Sequence, residues 1–149
     1  MDKPISSGLR TTFLVHWIFA GILGAALLLV PGRLLSLLGW VPQMVPLPQS
    51  ELSVPGTTFI DATMTRALGA ALLALAFSSF LGWRAGKWGE VSLLVQTELV
   101  YCVLALLALI TRLFLTTDRP MPVIGYVMML VLLAFAIAWG LALRQGRQT

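Results

Sequence analysis

The sequence predicts an all-α integral membrane protein, a four-helix bundle with a short interfacial helix in its first external loop. Three observations predict it. Of 149 residues, 58% are apolar and only 11% charged, too little polar surface to cover a water-soluble core of this size. Mean hydropathy is +0.92. The apolar residues fall into four runs of about 20, the length that crosses a hydrocarbon layer about 30 Å thick at about 1.5 Å per residue. The length suits one membrane domain.

The first run covers residues 11–30 and follows a polar lead containing Lys3 and Arg10. It exceeds the usual apolar segment of a signal peptide, about 7–15 residues, and has no small-residue cleavage pattern, so a retained first span is expected. It stops at Pro31-Gly32, a strong breaker pair. Residues 31–60 form the external loop. Its first part, from Arg33 to Trp40, is apolar but too short to span, and Pro31 suits a first helical turn. A short interfacial or re-entrant helix is therefore expected, with Trp40 at headgroup depth. The rest carries Pro42, Pro46, Pro48 and Pro55 and is expected to be irregular and exposed.

The second span is expected over residues 61–81, capped by Asp61 or Thr58. A tight basic turn over residues 82–89 follows, with Trp83 and Trp88 as belt residues. The third span covers residues 91–112. A polar loop over residues 116–122 leads to the fourth, residues 123–143. Small residues let membrane helices approach closely. Ala20, Gly21, Gly24 and Ala25 of span one and Ala67, Gly69, Ala70, Ala71 and Ala74 of span two make these two spans the expected tight pair. Span four, richer in Leu, Val and Met, is expected to face lipid over more of its surface.

Four spans put both chain ends on one side. With the Trp83–Trp88 turn that side carries Lys3, Arg10, Arg84, Lys87, Arg144 and Arg147, against Arg33, Arg112 and Arg119 opposite. The positive-inside rule then places both termini in the cytoplasm, in a cytoplasmic (inner) membrane. The same rule, with anionic lipid headgroups, accounts for the net charge of +4 without any nucleic-acid partner, because the cations sit at span ends and form no basic stripe.

Ionisable groups inside a span are costly, so each is a candidate functional residue. The candidates for a ligand site are Arg66, Glu98, Tyr101, His16 and Asp61, with Gln96 also intramembrane. His16 and Glu98 lie about five and seven residues inside the cytoplasmic ends of their spans, roughly 7–11 Å deep, and so can pair. Asp61 and Arg66 are about 140° apart in helical phase and make poor partners. Arg66 and Glu98 are separated by about 12 Å along the bundle, which two long side chains nearly bridge. A chain of Arg66, Tyr101, Glu98 and His16 along one buried groove is the expectation. A plainer reading makes these residues packing locks, with Arg66 snorkelling to the headgroups. Glu98 resists it best, since a carboxylate at that depth is paired or protonated.

Much chemistry is disfavoured. One histidine cannot give bis-histidine haem, and zinc lacks ligands. Cys102, the only cysteine, permits no internal disulfide, and in an apolar span is inert. There is no phosphate-binding glycine loop or hydrolase serine motif, and no inverted repeat of the transporter kind. No catalytic residue, metal or cofactor is expected.

The stretch Leu29-Val30-Pro31-Gly32-Arg33-Leu34-Leu35-Ser36-Leu37-Leu38-Gly39, with Asp61 and then Thr65-Arg66-Ala67-Leu68-Gly69-Ala70-Ala71-Leu72-Leu73, resembles small bacterial four-span proteins of unknown function, loosely DoxX-like. It is similar in layout to the eukaryotic ergosterol-biosynthesis scaffold family. The resemblance covers spans one and two with their loop. It implies a four-helix membrane bundle with an accessory or scaffold role, and brings no catalytic residues with it. The leading expectation is a non-enzymatic accessory or scaffold protein whose partners are membrane lipids and a second copy or another membrane protein. Two alternatives stand beside it: a binding protein for a lipid or quinone-like molecule near Arg66 and Glu98, and a proton-linked carrier using Glu98.

Overall fold

The computed structural model describes residues 3–115 and 120–147. It is all-α in its membrane part, with four helices long and apolar enough to cross a bilayer. The protein is a membrane protein of the four-helix-bundle class. Helix α1 spans Ser7–Leu29, opened by Ser6, whose hydroxyl accepts from the Leu9 N–H at 3.2 Å. It closes at Val30 because the residue before a proline avoids helical geometry, and Val30 indeed leaves it (φ −134°, ψ 52°). Helix α2, Pro31–Leu37, starts on that proline. It stops at Gly39, whose φ of +77° is open to glycine at little cost. The Gly39 N–H donates to the Ser36 carbonyl and the Trp40 N–H to that of Leu35, a Schellman ending that satisfies two helix-end carbonyls.

The proline-rich segment differs from the irregular loop expected. Strands β1 (Met44–Pro46) and β2 (Ser53–Pro55) pair antiparallel, Val45 opposite Val54, and a 3₁₀ turn, Gly56–Phe59, follows. Prolines are tolerated here because a two-stranded ribbon has only edges, where a missing N–H removes no central ladder bond.

Helix α3 spans Ala62–Arg84, and of the two candidate caps it is Asp61 that serves: one carboxylate oxygen accepts from the N–H groups of Thr63 (2.9 Å) and Met64 (3.0 Å). Asp61→Ala should lower stability by about 1 kcal/mol and Asp61→Ser should restore most of it. Detergent unfolding curves check this; an unaffected Asp61→Ala would mean the cap is idle. The second span continues one turn past the expected end, taking in Gly82, Trp83 and Arg84. The turn to α4 shrinks to residues 85–87, where Glu90 accepts from the N–H groups of Gly86 and Lys87. Helices α4 (Trp88–Leu115) and α5 (Val123–Arg147) likewise outrun their apolar cores, since a helix satisfies its backbone equally well in the headgroup layer. Residues 116–119 of the expected polar loop, Arg119 among them, lie outside the described residues.

Lys3–Ile5 lie along the α3–α4 turn, Trp88 N–H donating to the Lys3 carbonyl at 2.8 Å, and Lys3 Nζ reaches the Gln145 carbonyl on α5. Both chain ends and that turn therefore share one end of the bundle.

Helices α1 and α3 run antiparallel in close contact, and α4 packs on α5. Gly24 and Gly69 make the first contact possible. A Cβ built on Gly69 would lie 2.7 Å from the Leu28 nitrogen and 2.8 Å from the Gly24 oxygen, so the two backbones touch. The two pairs join through a core at the chain-end half of the bundle, around Phe13, Val91, Val95, Cys102 and Trp139. At the other end α2 crosses between the pairs, and Trp40 beyond it meets Arg112 of α4 (5.9 Å from guanidinium carbon to ring centre). Helix α5 is the most lipid-facing: 11% of its most apolar stretch is buried, against 28% in α1. Of the expected belt tryptophans, Trp83 is exposed and stacks with Trp17, whereas Trp88 turns inward onto the core.

Candidate functional site

Three helices bring four polar side chains to one point. Helical rise sets their level. His16 lies about two and a half turns into α1, and Ser78 and Ser79 sit just over a turn from the end of α3. The antiparallel packing of these helices makes those levels coincide, and Glu98, a little under three turns into α4, arrives at the same depth. Ser78 and Ser79 donate to Glu98 Oε1 at 3.2 and 3.0 Å. His16 Nδ1 lies 2.8 Å from Ser79 Oγ and 3.5 Å from Glu98 Oε2.

A hydroxyl has one proton, so the chain has a direction. With Ser79 donating to Glu98, His16 Nδ1 carries a proton and donates to Ser79. The reverse polarity puts the proton on Glu98, which donates to Ser79, and Ser79 to His16. Either way each buried group is answered by another, as the low-dielectric interior requires. The site is sealed: Glu98 and Ser79 are 0% exposed and His16 5%. Phe135 and Trp139 of α5 pack edge-on to the imidazole, at centroid distances of 4.9 and 6.0 Å. Among the described residues two buried polar atoms lack a hydrogen-bond partner, Glu98 Oε2 and Trp139 Nε1.

The structure thus joins His16 to Glu98, as their depths indicated, but not through the chain expected. Arg66 is exposed and stands twelve residues, about 18 Å of helix, from Ser78. The serines supply what Arg66 and Tyr101 were expected to supply. Tyr101 is half-buried against the core, one turn along α4. Asp61 is committed to its helix cap. Gln96 is exposed and donates to the Ser92 carbonyl of its own helix. Ser78 and Ser79 were the residues sequence reading passed over. Their one signal was two adjacent hydroxyls, flanked by Phe77 and Phe80, inside an apolar span. Serines also bond back to their own helix, so the pair by itself did not name Glu98 as acceptor.

The arrangement can move or hold a proton between imidazole and carboxyl through one hydroxyl. Among the described residues no three His, Cys, Asp or Glu side chains gather as metal ligands. Two surface concavities lie elsewhere. One, about 360 Å³, sits against the hairpin and is bounded by Trp40, Pro42 and Phe59. The other, about 450 Å³, runs between α1 and α5 beneath α2. No family model, curated protein or solved structure matches this chain.

Proposed function

We propose that this protein is a non-catalytic accessory or scaffold subunit of a cytoplasmic (inner) membrane, with both termini in the cytoplasm. One observation carries the reading: the polar groups that cost most to place in a bilayer are bonded to one another across α1, α3 and α4. A sealed cluster of that kind fastens helices and offers no group to a substrate. The cationic bias of the chain-end side, Lys3, Arg10, Arg84, Lys87 and Arg144, supports the orientation.

In this reading the outer cap formed by α2, the hairpin and the 3₁₀ turn is the partner-facing surface. It exposes Leu37, Met44, Leu52 and Phe59, large apolar side chains on a part of the chain outside the four spans. The test is native electrophoresis and cross-linking after extraction in mild detergent. The expected result is an assembly larger than the monomer that a Leu52→Ser/Phe59→Ser double variant releases while remaining folded. A protein monomeric throughout, or one whose double variant stays assembled, sinks the proposal. Proton flux into liposomes that vanishes with Glu98→Gln would replace it with the carrier.

A further inference from the structure

The groove between α1 and α5 has walls of one chemistry. Ile22 and Ala26 of α1, Leu34 and Leu38 of α2, and Ile124 and Met128 of α5 bound it, and every other lining residue is apolar too. It follows α1 from Val15 to Ala26, about 16 Å at the helical rise. Its side faces lipid, Val15, Ile18 and Ile22 being 50%, 49% and 68% exposed. Its end is closed by α2, which crosses from α1 toward the start of α5.

Size decides between occupants. A transmembrane helix is a cylinder at least about 10 Å across, so a 16 Å length needs roughly 1,250 Å³. The groove offers about 450 Å³, room for an extended hydrocarbon chain and not for a helix of a second copy. Charge decides which chain. Arg33 directly precedes Leu34 in α2, is exposed, and makes no hydrogen bond or ion pair with a described residue. A cation beside the closed, headgroup end of an apolar groove complements a phosphate.

We infer that this groove is a binding site for one acyl chain of a membrane phospholipid, with the lipid phosphate at Arg33. The site lies on the far side of α1 from the glycine contact with α3. It is separate from the sealed polar cluster and does not depend on the assembly proposed above.

The experiment is native mass spectrometry of the full chain after exhaustive delipidation and re-exposure to phosphatidylglycerol. Wild-type protein should keep one phospholipid per chain. Ala26→Phe, which fills the groove, should reduce retention about tenfold, and Arg33→Gln about threefold, the size of an exposed ion pair. Leu133→Phe, on the lipid-exposed face of α5, should retain lipid as wild type does. Should Ala26→Phe fail to fold, chain-spin-labelled phosphatidylglycerol on unaltered protein gives the same answer, as one motionally restricted chain per protein. The inference is overturned by a wild-type protein that emerges lipid-free, by a restricted population scaling with the whole bundle perimeter, or by undiminished binding in Ala26→Phe. It is equally overturned if Ala26→Phe converts a dimer to monomers, since a second copy would then occupy the groove.

Discussion

Gly69→Leu should separate α1 from α3 and cost about 3 kcal/mol or more. Overpacking usually costs about 1–3 kcal/mol because neighbouring side chains can give way. Here the atoms a Cβ would meet are backbone on both counts, the Leu28 nitrogen at 2.7 Å and the Gly24 oxygen at 2.8 Å, so relief requires moving a whole helix. In a bilayer that motion is expensive in contacts, since no hydrophobic effect holds helices together and packing at close range must do it. Gly140→Ala in α5 is the control: its Cβ meets nothing within 4 Å. Replacing a mid-helix glycine there should stabilise by about 0.5–1 kcal/mol. Unfolding of the reconstituted variants by denaturing detergent measures both. A Gly69→Leu variant as stable as wild type would show that α1 and α3 do not meet at this point.

The second large effect belongs to Glu98. Removing one partner of a buried pair in a soluble protein costs about 3–5 kcal/mol. Hydrogen bonds between membrane helices average about 0.6 kcal/mol, because the separated helices in lipid find other partners. Glu98 holds three neighbours, so Glu98→Leu should fall between, at about 2 kcal/mol. Glu98→Gln, which keeps an oxygen for both serines, should cost about 1 kcal/mol. Ser79→Ala should exceed Ser78→Ala, because Ser79 alone touches both Glu98 and His16. The discriminating measurement is a pair of double-mutant cycles. His16 with Glu98 should couple by about 0.5–2 kcal/mol, and Arg66 with Glu98 should be additive within about 0.5 kcal/mol. Coupling of Arg66 to Glu98 above about 1 kcal/mol would contradict the geometry described here.

The sequence by itself determined what depends on one dimension. Transfer of apolar residues from water to lipid fixes four runs long enough to span, and helical rise fixes depth. His16 and Glu98 could therefore be placed at one level, and Gly24 and Gly69 marked as sites of close approach. Breakers and caps are also local, so Pro31 and Asp61 act where they stand. The rotation of each helix about its axis and the identity of its neighbours are not local. They follow from how four whole surfaces fit, and only the tertiary structure decided them. That fit turned Arg66 outward, Trp88 inward, and Ser78 and Ser79 onto Glu98. It also laid α2 across the two helical pairs. The hairpin in the proline-rich loop escaped sequence reading for a related reason: cross-strand pairing depends on which segments meet, and the prolines at its edges masked the pattern. A span is a property of a segment, whereas a polar cluster shared by three helices is a property of their packing.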